Sequence, residues 1–210
     1  MAPRRVTPSG SLLLLSPEMP VPATAPGLPI SNARLAMVIF LAFETMLFAA
    51  FIAAFLVFRL SATAWPPADL PSLPIAVTWL NTFVLIASGY AMSRAVRGLR
   101  RADQRQLERG LMAAGILGSL FLAVQGSEWV RLVQHGLTLS TGMYGATFYT
   151  LIGIHGVHVL SAVLWLLILV VGVQRDRFRS RVRVPIELCA MYWYFVVAVW
   201  GALFYLVYLL

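Results

Sequence analysis

Five long apolar stretches, at about 33–58, 73–95, 111–133, 145–172 and 186–209, decide what this chain can fold into. A helix needs about 20 mainly apolar residues to cross roughly 30 Å of hydrocarbon, and each stretch qualifies. Inside lipid an unpaired backbone group is so costly that a spanning segment must be a helix or part of a closed barrel. These runs are too long and too continuous for the alternating pattern of barrel strands. The expected fold is therefore all-α: a polytopic membrane protein, a bundle of five transmembrane helices. Composition agrees. Of 210 residues 60% are hydrophobic and only 11% charged, against about 25% charged in a soluble domain.

Charge sets the expected orientation. All 16 basic residues are arginine, and with 8 acids the net charge is +8. They sit between apolar blocks, so they read as loop anchors rather than as a nucleic-acid surface. Loop 96–110 carries Arg97, Arg100, Arg101, Arg105 and Arg109; loop 173–185 carries Arg175, Arg177, Arg179, Arg181 and Arg183. The other two loops are nearly bare, bordered by Arg59 and Arg131. Arginine-rich short loops stay in the cytoplasm, which puts the N-terminus inside and the C-terminus outside. Residues 1–32 hold seven prolines. They read as a disordered cytoplasmic tail, and Leu12 to Leu15 is too short for a signal-peptide core. Residues 33–210 are the expected membrane domain.

Pro66, Pro67, Pro71 and Pro74 are expected to end one helix and open the next. Trp65, Trp129 and Tyr144 fall near predicted boundaries, where aromatic rings favour the interface. Ala49, Ala50, Ala53, Ala54, Gly115, Gly118, Gly153 and Gly156 are small residues of the kind that let helix backbones approach. The single cysteine, Cys189, reads as a small apolar helix residue. No internal repeat suggests a transporter's inverted halves.

Polar groups inside the spans are the candidates for function. Glu44 lies about eleven residues into the first span, roughly 16 Å deep at 1.5 Å per residue. It reads either as a proton-exchanging, lipid- or partner-contacting group, or as an acid hydrogen-bonded to a neighbouring helix. His155 and His158 lie three apart in the fourth span, on one broad face, also near mid-depth. No Glu-x-x-His pairs face each other as in a di-iron bundle, and the remaining histidine, His135, is expected in an outer loop. No metal or heme site is therefore expected on this chain. Matching depths suggest that Glu44 hydrogen-bonds one of these histidines, His158 being favoured. Glu128, near the outer end of the third span, reads as a cap or helix contact. Glu187, after Pro185 at the start of the last span, suits a helix N-terminus.

Taken in order, these segments resemble subunit III of the heme–copper oxidases. Phe43-Glu44-Thr45-Met46-Leu47-Phe48 is similar to that family's acid-bearing helix, and Leu73-Pro74 with Asn81-Thr82 to the start of the next. Gln125, Glu128 and Trp129 match a Gln-x-x-Glu-aromatic segment. Tyr144-Gly145-Ala146-Thr147-Phe148, then Gly153-Ile154-His155-Gly156-Val157-His158-Val159, is the most specific match. Glu187 and Tyr192-Trp193-Tyr194-Phe195-Val196 resemble the final helix. The pattern departs from the family at Tyr194, usually His, and Val197, usually Asp. It also lacks two N-terminal helices of longer members, and so resembles the short five-helix bacterial form.

The resemblance implies a non-catalytic accessory subunit of a terminal oxidase in the bacterial inner membrane. It would carry no redox cofactor, pack beside subunit I and subunit II, which hold the hemes and copper, bind phospholipid, and support proton uptake and durable turnover. Asn81, Gly153, Gly156, Glu187 and Trp193 would be structural motif positions; Glu44, His155, His158 and Glu128 would be the lipid- or proton-related ones. An accessory subunit of a nitric oxide reductase and a free-standing membrane heme protein are the alternative readings.

Overall fold

The computed structural model describes residues 31–67, 74–174 and 183–210. Residues 1–30 of the expected tail, Pro71 and most of the second arginine-rich loop lie outside them. The described residues are all-helical: α1 (Asn32–Ser61), α2 (Ile75–Arg100), α3 (Gln104–Gln134), α4 (Gly142–Gln174) and α5 (Arg183–Phe204), the last continued by one π turn, Tyr205–Leu209. All five are long and apolar enough to cross a membrane.

The helices overrun the apolar stretches, because arginines can lie along a helix end and reach water with their guanidinium groups. The loop expected over 96–110 shrinks to residues 101–103. Its turn follows from local hydrogen bonds. Asp103 N–H donates to Gly98 O (2.9 Å) and Ala102 N–H to Leu99 O (3.4 Å), the paired bonds that close a helix on a left-handed residue. That residue is Ala102, at φ 56°. The Asp103 side chain then accepts from Gln106 N–H at 3.0 Å and caps α3. The same closure ends α3: Leu137 N–H donates to Leu132 O and Gly136 N–H to Val133 O, with Gly136 at φ 91°. His135, expected in a loop, is the C-cap of α3, and its Nδ1 donates to Arg131 O at 2.7 Å.

Helices α2 and α3 form a tight antiparallel hairpin. A Cβ on Gly98 would lie 2.6 Å from Leu107 N, and one on Gly110 2.6 Å from Ala95 N, so backbone meets backbone at both points. The tryptophans of α5 lock onto this hairpin. Trp193 Nε1 donates to Ser88 Oγ (3.2 Å) and Trp200 Nε1 to Thr82 Oγ1 (3.0 Å). A Cβ on Gly118 would meet the Trp193 ring at 2.7 Å, so this glycine makes room for a side chain. Asn81 Nδ2 donates to Phe121 O at 3.2 Å, tying α2 to α3.

Helix α1 is different. It buries only Phe48 and Phe55 within the chain. Ala49, Ala50, Ala53 and Ala54 are exposed, and Ala54 lines a groove shared with Met143, Ala146 and Leu151 of α4. Small residues permit close approach but do not choose a partner. Three polar ties at three depths hold α1 instead: Arg34 to Glu187, Glu44 to His158, and Arg59 Nη1 to Leu206 O at 3.2 Å.

Candidate functional site

The middle tie is the most unusual feature of the bundle. Its members lie near the centres of α1 and α4. Glu44 Oε2 is 2.8 Å from His158 Nε2, with side-chain exposures of 18% and 13%, so the pair is largely withdrawn from its surroundings. The sequence expectation of pairing, with His158 as partner, matches this geometry. His158 Nδ1 lies 2.7 Å from Ile154 O. A carbonyl oxygen only accepts, so Nδ1 carries a hydrogen. In a neutral ring Nε2 is then bare, and the short contact to Glu44 holds a single proton. Either the carboxyl donates to Nε2, or an imidazolium donates to a carboxylate. Both forms are neutral as a pair, which lowers the cost of placing these groups in hydrocarbon.

Aromatic rings wall the pair. Phe48 sits edge-on to His158 at 5.0 Å between ring centroids, and Tyr192 of α5 lies 6.4 Å away. Phe48 follows Glu44 by one helical turn and is 3% exposed, so the turn that delivers the carboxyl also delivers its cover.

His155 is not part of the pair. It is 1% exposed, stacks on Trp200 at 5.2 Å, and neither ring nitrogen has a hydrogen-bond partner. It borders a cavity of about 340 Å³ between α3 and α4, lined also by Gln125, Trp129, Gly153 and Gly156. Trp129, near the outer end of α3, lays its ring 3.3 Å from where a Gly156 Cβ would be, and its Nε1 is buried without a partner. The two glycines thus admit an indole rather than a neighbouring helix backbone.

Glu128 is 7% exposed and accepts from Arg131 Nη1 at 3.0 Å, one helical turn away. Glu187 is the fifth residue of α5, which begins at Arg183. It therefore lies past the first turn, and its partners are Arg34 of α1 and Arg183, the latter at 3.3 Å. Sequence reasoning missed the Arg34–Glu187 tie, although both residues stand at predicted ends on the same side. It also missed Tyr208, whose hydroxyl accepts from Gln125 Nε2 at 3.4 Å and extends the Asn81–Gln125 contact across to the end of α5.

Among the described residues, no three His, Cys, Asp or Glu side chains gather as a metal site would require. A family model for cytochrome c oxidase subunit III matches residues 29–210. The chain belongs to the cytochrome c oxidase subunit III family. Subunit 3 of Synechocystis is 34% identical over 83% of this chain and 74% of its own length. Human subunit 3 is 34% identical over 83% of this chain and 68% of its own. The rat protein is 32% identical over the same shares. As a subunit III, the chain is an accessory part of a heme–copper oxidase and works in complex with other oxidase subunits. The two departures from the family pattern have definite places here. Val197 packs on the α2 backbone, 3.7 Å from a Gly89 Cβ position. Tyr194 is 40% exposed. Neither lies in the Glu44–His158 contact.

Proposed function

We propose that this subunit III belongs to a respiratory oxidase of the bacterial inner membrane, beside subunits I and II that hold the hemes and copper. In this reading its N-terminus is cytoplasmic and its C-terminus outside. Glu44 and His158 form a membrane-buried proton-exchanging pair that sustains turnover. Their 2.8 Å contact carries the proposal: the proton can shift between the two basic atoms without creating net charge in lipid, and its release is balanced when a second proton is taken up from the other side of the pair. Asn81, Trp193 and Glu187 serve as positioning contacts, and phospholipid covers the exposed apolar faces. The family match favours an oxygen-reducing partner over a nitric oxide reductase or a free-standing heme protein.

Purification through a tag on this chain tests the assignment. The expected result is a complex whose catalytic chain carries heme and copper and reduces oxygen. A nitric oxide reductase chain in its place, or heme bound stoichiometrically to this subunit alone, would contradict it. Orientation has its own test. A reporter active only outside the cytoplasm is expected to be active when fused after Leu210 and silent near Arg101 or Arg179. The reverse pattern would overturn the topology.

A further inference from the structure

We propose that the end of the α2–α3 hairpin carries a binding site for an anionic phospholipid, its phosphate held by Arg94, Arg105 and Arg109. These three residues line a cavity of about 570 Å³, together with Asp103, Ala91 and Ala113. Arg94 comes from α2 and the other two from α3, where they lie four residues apart on one face. The hairpin fixes their spacing, because Gly98 and Gly110 hold the two backbones in contact. Arg94 lies six residues before the end of α2, about 9 Å along the axis, which suits the headgroup level of a bilayer.

The charge is unbalanced. Three guanidinium groups face one carboxylate, Asp103, and that carboxylate is engaged in capping α3. The nearby Glu108 does not line the cavity and accepts from Gln104 Nε2 at 2.7 Å. Among the described residues none of the three arginines forms an ion pair, whereas Arg34, Arg131 and Arg183 do. Guanidinium groups bind phosphate oxygens through paired, charge-assisted hydrogen bonds, and basic pockets between membrane helices take lipid headgroups. Gln106 adds one neutral polar side chain, and the rest of the wall is small and apolar, formed by Ala91, Gly110 and Ala113. A free phosphate has no use for such a wall, whereas the glycerol and first acyl carbons of a lipid do. The site is thus an amphiphile's, with the phosphate against the arginines and the apolar part against the alanines.

The test uses the intact oxidase in phosphatidylcholine nanodiscs, with or without added phosphatidylglycerol. Phenylglyoxal modifies accessible arginines, and peptide mass spectrometry reads each one. Phosphatidylglycerol is expected to protect Arg94, Arg105 and Arg109 at least about fivefold more than Arg97 and Arg100, the factor set by roughly one charge contact each. Inorganic phosphate alone should protect none. In a second arm the R94Q/R105Q/R109Q complex should bind phosphatidylglycerol about a hundredfold more weakly, read by native mass spectrometry. Equal protection of all five arginines would mean diffuse surface charge and would overturn the site. So would protection by inorganic phosphate, which would make it an ion site. Low reactivity of the three arginines in pure phosphatidylcholine would show a protein partner covering them, and would overturn it too.

Discussion

Replacing Gly110 with alanine is expected to lower the thermal midpoint of the solubilised complex and reduce its yield. One methyl group would lie 2.6 Å from Ala95 N, 2.7 Å from its Cα and 2.8 Å from its Cβ. Two of these atoms belong to the opposing backbone, so no side-chain rotation relieves the clash. The hairpin must open, and with it the contacts through which Trp193 and Trp200 fasten α5 to α2. Overpacking of this kind costs about 1–3 kcal/mol, occasionally more. Alanine's better helix propensity returns about 1 kcal/mol, so clash and propensity oppose each other. Gly201→Ala isolates the propensity term, since Gly201 is exposed and a Cβ there meets nothing within 4 Å. That variant is expected to be neutral or slightly stabilised. Differential scanning fluorimetry of both variants checks the pair; equal midpoints would refute the close approach at Gly110.

The contrast between these glycines shows what the sequence made legible. Helix count and type followed from apolar run length, because lipid leaves the backbone few alternatives. Helix ends did not, because arginines at 97, 100, 105 and 109 continue a helix as readily as they interrupt an apolar run. Small residues flagged contact without naming the partner. Gly110 meets a backbone, Gly118 and Gly156 meet tryptophan rings, and Ala49, Ala50, Ala53 and Ala54 of α1 stay exposed. Glu44 and His158 were paired correctly because depth along a helix can be counted. His155, counted the same way, lies on a different part of its face, and its rotation about the helix axis was not countable.

The largest functional effect is expected at Glu44. Helix α1 buries little of itself in the chain, so each polar tie weighs heavily. Glu44→Ala leaves His158 Nε2 without its partner. An unsatisfied buried polar atom costs about 1–3 kcal/mol, and the tie between the middles of α1 and α4 is lost as well. Glu44→Ala is therefore expected to assemble poorly. Replacing both partners, Glu44→Leu with His158→Leu, removes the unsatisfied atom and should recover much of the assembly, but not durable turnover.

Glu44→Gln separates structure from proton exchange. A glutamine amide can donate to the bare Nε2 of His158 at the same separation, so the tie and the packing of Phe48 survive. It offers no proton that can be passed on. The deciding measurement is oxygen consumption by the purified Glu44→Gln oxidase followed through many turnovers. Wild-type subunit content and heme spectrum, a near-normal initial rate, and activity that decays severalfold sooner are the predicted result. A Glu44→Gln complex that keeps wild-type activity for as long as the wild type would contradict the proton-exchanging role and reduce the Glu44–His158 pair to a structural tie.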